Sequence, residues 1–192
     1  MIYNVGSAYM AYFFFDFKDF GMQDAHSLLS SILIQLRNQS DTFCNILLAL
    51  YSAHFHGLEK PADRALTKCL EDMLGVPGVI PLYLIIDALD ECPMTTGTSS
   101  PRDIVLALLE KAVGLNLLHL RLYIASRPEI DIRNTLEPLT SNCISLHDQI
   151  GQNKDIVDFI RSKVESDKKM RRWRDEDRVL VIETLADRAD GM

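Results

Sequence analysis

The stretch that most constrains this chain is Leu82–Cys92, LYLIIDALDEC. Leu82, Tyr83, Leu84, Ile85 and Ile86 form an unbroken apolar run. A strand with one wet face alternates, whereas a short continuous run of large and β-branched residues predicts a strand buried on both faces of a parallel sheet. Asp87, Asp90 and Glu91 follow at its end. Carboxylates gathered at the mouth of a buried strand are costly unless a cation sits there. In open parallel α/β sheets that edge is where ligands bind. Hydrated Mg²⁺ carrying nucleotide phosphates is a natural occupant, because Mg²⁺ takes oxygen ligands and keeps several waters. The plainer reading is that Asp87 and Asp90 cap the turn leaving the strand.

Met10–Phe17, MAYFFFDF, reads as a second buried strand. Asp24 is placed to cap a helix from Ala25 to Asn38, with Leu28, Leu29, Ile32, Leu33 and Leu36 on one stripe. Asp41 is expected to cap a second helix, and Lys60-Pro61 to open a third with Leu66, Cys69, Leu70, Met73 and Leu74 inward. After the organising strand, MTTGTSS predicts a mobile loop, and Ser100-Pro101 opens a helix through Leu106, Leu109 and Val113. LRLYIA (Leu120–Ala125) is a third strand running into Ser126-Arg127-Pro128; Glu129–Leu136 is a short helix and CISL (Cys143–Leu146) a fourth strand. Helices follow over Asn153–Val164 and from Asp175 or Asp177. Strands alternating with helices predict an α/β fold, a parallel sheet with helices on both faces. The division expected is 1–150 for the α/β core and 151–192 for the start of a helical lid, with the boundary near 148–152.

Composition narrows the function classes. The net charge of −7 argues against general nucleic-acid affinity. The apolar runs are too short to span a bilayer, and MIYNVGSAYM lacks the basic start and apolar core of a signal peptide. Four cysteines without a CxxC pair suggest reduced thiols in a cytoplasmic protein. His54 and His56 form an HxH with no further ligands nearby, which reads as a surface pair. The turn KKMRRWR (Lys168–Arg174) could grip phosphate, but reads as a solvated helix junction with Trp173 packed on the lid helices.

A strand ending in DALDE, then one ending in SRP, resembles the NACHT class of signal-transduction ATPases, which are P-loop NTPases of the STAND type acting as switches. The resemblance is closer to the large fungal group related to the nephrocystin-3-like N-terminal domain, and it runs from about Ala11 onward: AYFFFDF, SLLSSILIQL, LYLIIDALDEC, LRLYIASRPEIDIR, LADRADGM. It implies that Asp87 is the Walker B aspartate holding Mg²⁺, that Glu91 with Asp90 beside it polarises the attacking water, and that Arg127 senses the γ-phosphate of ATP or GTP. Phosphoryl transfer needs charge neutralisation and positioning, so both carboxylates must sit at one strand end. The plainer role for Arg127 is a surface pair with Glu129 or Asp131.

The family's phosphate loop, G-x-x-x-x-G-K-[ST], is absent: the only nearby glycine is Gly6, in NVGSAY, and no lysine precedes Lys18. Its feeding strand, which in this family lies inside the sheet between the SRP and CISL strands, is missing too, leaving strand edges unpaired. The chain is therefore expected to be a fragment of a longer NTPase, and weak or inactive toward nucleotide alone. Two other classes stay open. One is a non-catalytic interaction fragment whose exposed strand edges self-associate or pair with a partner protein. The other is a Mg²⁺-carboxylate enzyme of phosphatase or receiver type, which needs acids on several strand ends, where Asp16 is the only other one.

Overall fold

A computed structural model describes residues 8–54, 57–78, 80–95, 100–145 and 150–189. The chain divides into two compact units, Met1–Thr140 and Ser141–Met192. The division lies upstream of the 148–152 stretch expected from the sequence.

The first unit is built on three parallel strands in the order β1-β2-β3: Tyr9–Phe14, Leu82–Asp87 and Leu120–Ile124. Tyr12 pairs with Ile85, which pairs with Tyr123. Around them lie α1 (Ala25–Arg37), α2 (Asp41–Ala53), α3 (Asp63–Leu74), α4 (Pro101–Gly114) and α5 (Ile130–Leu136). The α/β parallel-sheet architecture is as expected.

The stripe Leu28, Leu29, Ile32, Leu33 and Leu36 of α1 is fully buried, and it meets Ala11, Phe13, Leu84 and Ile86 in a core shared with α3 and α4. The opposite face of the sheet differs from expectation. Met10, Tyr12, Phe14 and Tyr123 are 44, 47, 47 and 56% exposed, and β2 alternates between buried and half-buried residues. Among the described residues of the first unit, helices cover one face only. The reason is topological: two successive parallel crossovers step the same way across the sheet, and right-handed crossovers then put both sets of helices on the same side. The apolar run of β2 is thus buried on one face and half-open on the other.

Several boundaries shift for local reasons. β1 ends at Phe14, not Phe17, because the Asp16 carboxylate accepts from the Lys18 N–H at 2.8 Å and Asp19 caps a single 3-10 turn over Phe20–Met22. Ser40, not Asp41, caps α2, its hydroxyl accepting from the Thr42 N–H at 3.2 Å. Asp41 is then a first-turn acid, favourable at the positive end of the helix. α3 starts at Asp63, after the Lys60-Pro61 pair. Ser100 caps α4 in a reciprocal box with Asp103.

The outer edge of β1 is closed by a side chain of α1 and one from the turn just after it. Gln35 accepts from the Tyr12 N–H at 3.1 Å and donates to its carbonyl at 2.7 Å; Gln39 does the same for Met10 at 2.9 and 2.6 Å. An edge strand satisfied in this way offers no ladder to another chain.

The second unit holds α6 (Ile150–Ser166) and α7 (Asp175–Ala189), joined through a 3-10 turn at Met170–Arg172. The basic junction is exposed as expected, but Trp173 is only partly packed, 43% exposed. The expected fourth strand does not form: residues 142–145 carry no ladder, and Leu146 lies outside the described residues. β-rich composition alone does not make a strand, which exists only with a partner. The mobile loop expected after Cys92 falls mainly on 96–99, and Gly6, His56 and Gly191-Met192 also lie outside the described residues.

Candidate functional site

The site lies at the carboxyl end of the sheet. Asp87 is the last residue of β2, and by strand alternation it shares the open face with Tyr83 and Ile85. Its carboxylate accepts from the Ala88 N–H at 2.8 Å. Ala88 then adopts a left-handed backbone (φ 53°), uncommon for a residue with a Cβ, and a 3-10 turn over Leu89–Glu91 follows. The abrupt turn brings Asp90 and Glu91 back to the strand end. Leu89 is wholly buried beneath them, and its N–H donates to the Ala125 carbonyl at 3.2 Å, joining this turn to the end of β3.

The two acids face different partners. Both oxygens of Asp90 are turned to Arg127: one accepts from its backbone N–H at 3.0 Å, and the other lies 3.6 Å from Nε. Glu91 reaches across to the strand-end loop of β1, accepting from the Phe17 N–H at 3.1 Å. Asp87, Asp90, Glu91 and Arg127 therefore stand at one end of the sheet, Arg127 in the loop just after β3, the strand neighbouring that of Asp87. The pairing of Arg127 with Glu129 or Asp131 is not what forms. Its guanidinium is 77% exposed, and Asp131 is engaged by Arg102 instead.

Beside these residues is a hollow of about 350 Å³ lined by Phe17, Asp90, Glu91, Arg102 and Arg127 among others. Its size suits a small polar ligand. Cys92 forms part of its wall, and burial pushes that thiol up to about 12, so it is neutral and inert near neutral pH.

Sequence reading missed Arg102. It sits in the first turn of α4 with only 7% exposure. Its fork donates to the carbonyls of Cys92 (2.9 Å) and Asp90 (2.5 Å) and pairs with the Asp131 carboxylate at 3.3 Å. Its one legible signal was an Arg just inside a capped helix beside an acid-rich loop.

Asp87, Asp90 and Glu91 supply carboxylate oxygens, the donor type that a hydrated divalent cation takes. Among the described residues no three His, Cys, Asp or Glu side chains are grouped closely enough to hold a metal by themselves. Among the described residues, one oxygen of Asp87 and one of Glu91 accept no protein hydrogen bond, while Asp90 is committed to Arg127. A cation of the Mg²⁺ kind, held by one carboxylate with water and phosphate oxygens making up its shell, is compatible with that arrangement.

A three-stranded parallel sheet with helices packed on it, and with acids and an arginine gathered at its carboxyl edge, defines the general class: an open-sheet α/β domain. Residues 4–127 match the family model "Nephrocystin 3, N-terminal", and the chain belongs to that family. Comparison with curated proteins and with solved structures returned no match. No described helix is long and apolar enough to cross a membrane.

Proposed function

We propose that this chain carries the Walker B and sensor part of a NACHT-type nucleotide switch of the fungal kind. The observation that carries the reading is the meeting of DALDE and SRP at one sheet end, through the bonds between Asp90 and Arg127. In this reading Asp87 holds the metal. Glu91 orients the attacking water with its uncommitted oxygen. Arg127 extends its exposed fork toward the γ-phosphate, and Asp90 fixes the backbone from which that fork projects. Mg²⁺, when bound, would supply neutralisation of phosphate charge. The first unit is then the nucleotide-binding core and the second the start of a lid, in a protein of the cytoplasm.

No glycine-rich phosphate loop or P-loop lysine occurs in the sequence, so these residues alone supply only part of a triphosphate cradle. The expected outcome of calorimetric titration with Mg·ATP and Mg·GTP is weak binding that disappears in Asp87→Ala and in Arg127→Ala. Residual binding indifferent to both substitutions would contradict the site. Micromolar affinity abolished by Asp87→Ala would show instead that the cradle is sufficient.

A further inference from the structure

We propose that Arg102 is the positioning residue of this site, a buried clamp that makes the turn after β2 and the loop after β3 move as one body. Three of its donors are satisfied, each by a group belonging to another segment. Nε and Nη2 hold the carbonyls of Cys92 and Asp90, both in the turn that follows Asp87. Nη1 holds the carboxylate of Asp131, on α5, four residues beyond Arg127. The backbone N–H of Arg102 also donates to the Pro93 carbonyl at 3.3 Å. A charged guanidinium 7% exposed is tolerable only with such a full set of partners.

The geometry is specific to a fork. A lysine ammonium at the same place is a point donor on a flexible stem and cannot reach two carbonyls and a carboxylate together. Packing alone needs no cation there, since an aliphatic side chain fills similar volume. The carbonyls held are those of the turn entered through the left-handed Ala88, a costly backbone that surrounding contacts must maintain. Across the site, Leu89 to Ala125 and Asp90 to Arg127 make two further links between the same loops. The result is a closed ring: β2 turn, Arg102, Asp131, α5, SRP loop, and back through Asp90. α4, fixed at its start by the Ser100–Asp103 box, carries the clamp. A shift of that first helical turn therefore displaces Glu91 and Arg127 together. The functional consequence rests on the reading of the site as a nucleotide switch; the clamp itself does not.

Amide hydrogen exchange on the full chain, without metal or nucleotide, tests it. Arg102→Met and Arg102→Lys are expected to speed exchange at Leu89, Cys92 and Arg127 by about tenfold or more, the scale of a lost charge-assisted hydrogen bond, while Phe13 and the α1 stripe stay at wild-type rates. Asp131→Ala, which leaves both carbonyl bonds in place, should free Arg127 and the first turn of α5 but leave Cys92 protected. If Arg102→Met fails to fold, the other two variants decide. Wild-type protection at Arg127 in Arg102→Lys overturns the proposal, as does an equal rise throughout the core. The metal reading fails separately, on the loss or persistence of cation binding in Asp87 variants.

Discussion

The two faces of the same three strands have opposite fates. On one, Phe13 and Ile86 are 2% and 1% exposed beneath α1, α3 and α4. On the other, Tyr12 and Phe14 are each 47% exposed, and Tyr83 stacks on Tyr123 with ring centroids 6.2 Å apart and no described helix of the first unit above them. The open face carries large apolar and aromatic residues too, with Arg121 and Asp87 among them, so hydrophobicity alone does not say which face is covered. Chain direction does: β1, β2 and β3 lie side by side in sequence order, and each crossover returns over the same side. Asp87 sits on the open side, so the metal-binding role proposed for it belongs to the face that the helices leave free.

The largest test of this contrast is Phe13→Ala. It removes a ring buried in the packed face and set edge-on to Phe15 at 4.9 Å, and should cost about 3–5 kcal/mol in chemical denaturation. Gln35→Leu comes next. It strips both bonds from Tyr12 at the β1 edge, and a loss of about 1–3 kcal/mol with new self-association is expected. Ser100→Ala, which opens the capping box of α4 on the packed side, should cost about 1 kcal/mol. Tyr12→Ala on the open face should cost least, under about 1 kcal/mol; a penalty matching that of Phe13→Ala would mean that the open face is covered in solution.

The buried thiols give the contrast a pH signature. Burial raises Cys92 from 9.0 to about 12 and Cys69 from 9.0 to about 11. Above the unfolded value the denatured chain loses these protons before the native one does, so the native state binds more protons there. Stability is therefore level below about pH 9 and falls as pH rises above it. Thermal melts between neutral pH and pH 10 should show that fall, and Cys92→Val should flatten it.

Much of this was legible in the residues. The α1 stripe follows from periodicity and the parallel sheet from the alternation of strands with helices, while the meeting of DALDE with SRP at one edge was implied by the family resemblance. Other features depended on partners that no local pattern reveals. Gln35 and Gln39 carry no local signal of their role, yet they close a strand edge. Arg102 was not singled out from the sequence, yet it is buried against two carbonyls of the turn after β2 and a carboxylate of α5. CISL has strand-forming residues but no ladder among those described. The run Leu82–Ile86 looked dry on both sides because hydrophobicity records what a face tolerates, while topology decides what covers it.

The most direct test of the central claim is electron paramagnetic resonance of Mn²⁺, used as a Mg²⁺ surrogate, titrated into the purified chain. The account predicts one weak bound-Mn²⁺ signal, lost in Asp87→Asn and retained in Asp16→Asn, the other strand-end acid. Binding that survives Asp87→Asn, or no binding to the wild-type chain at millimolar Mn²⁺, would contradict it.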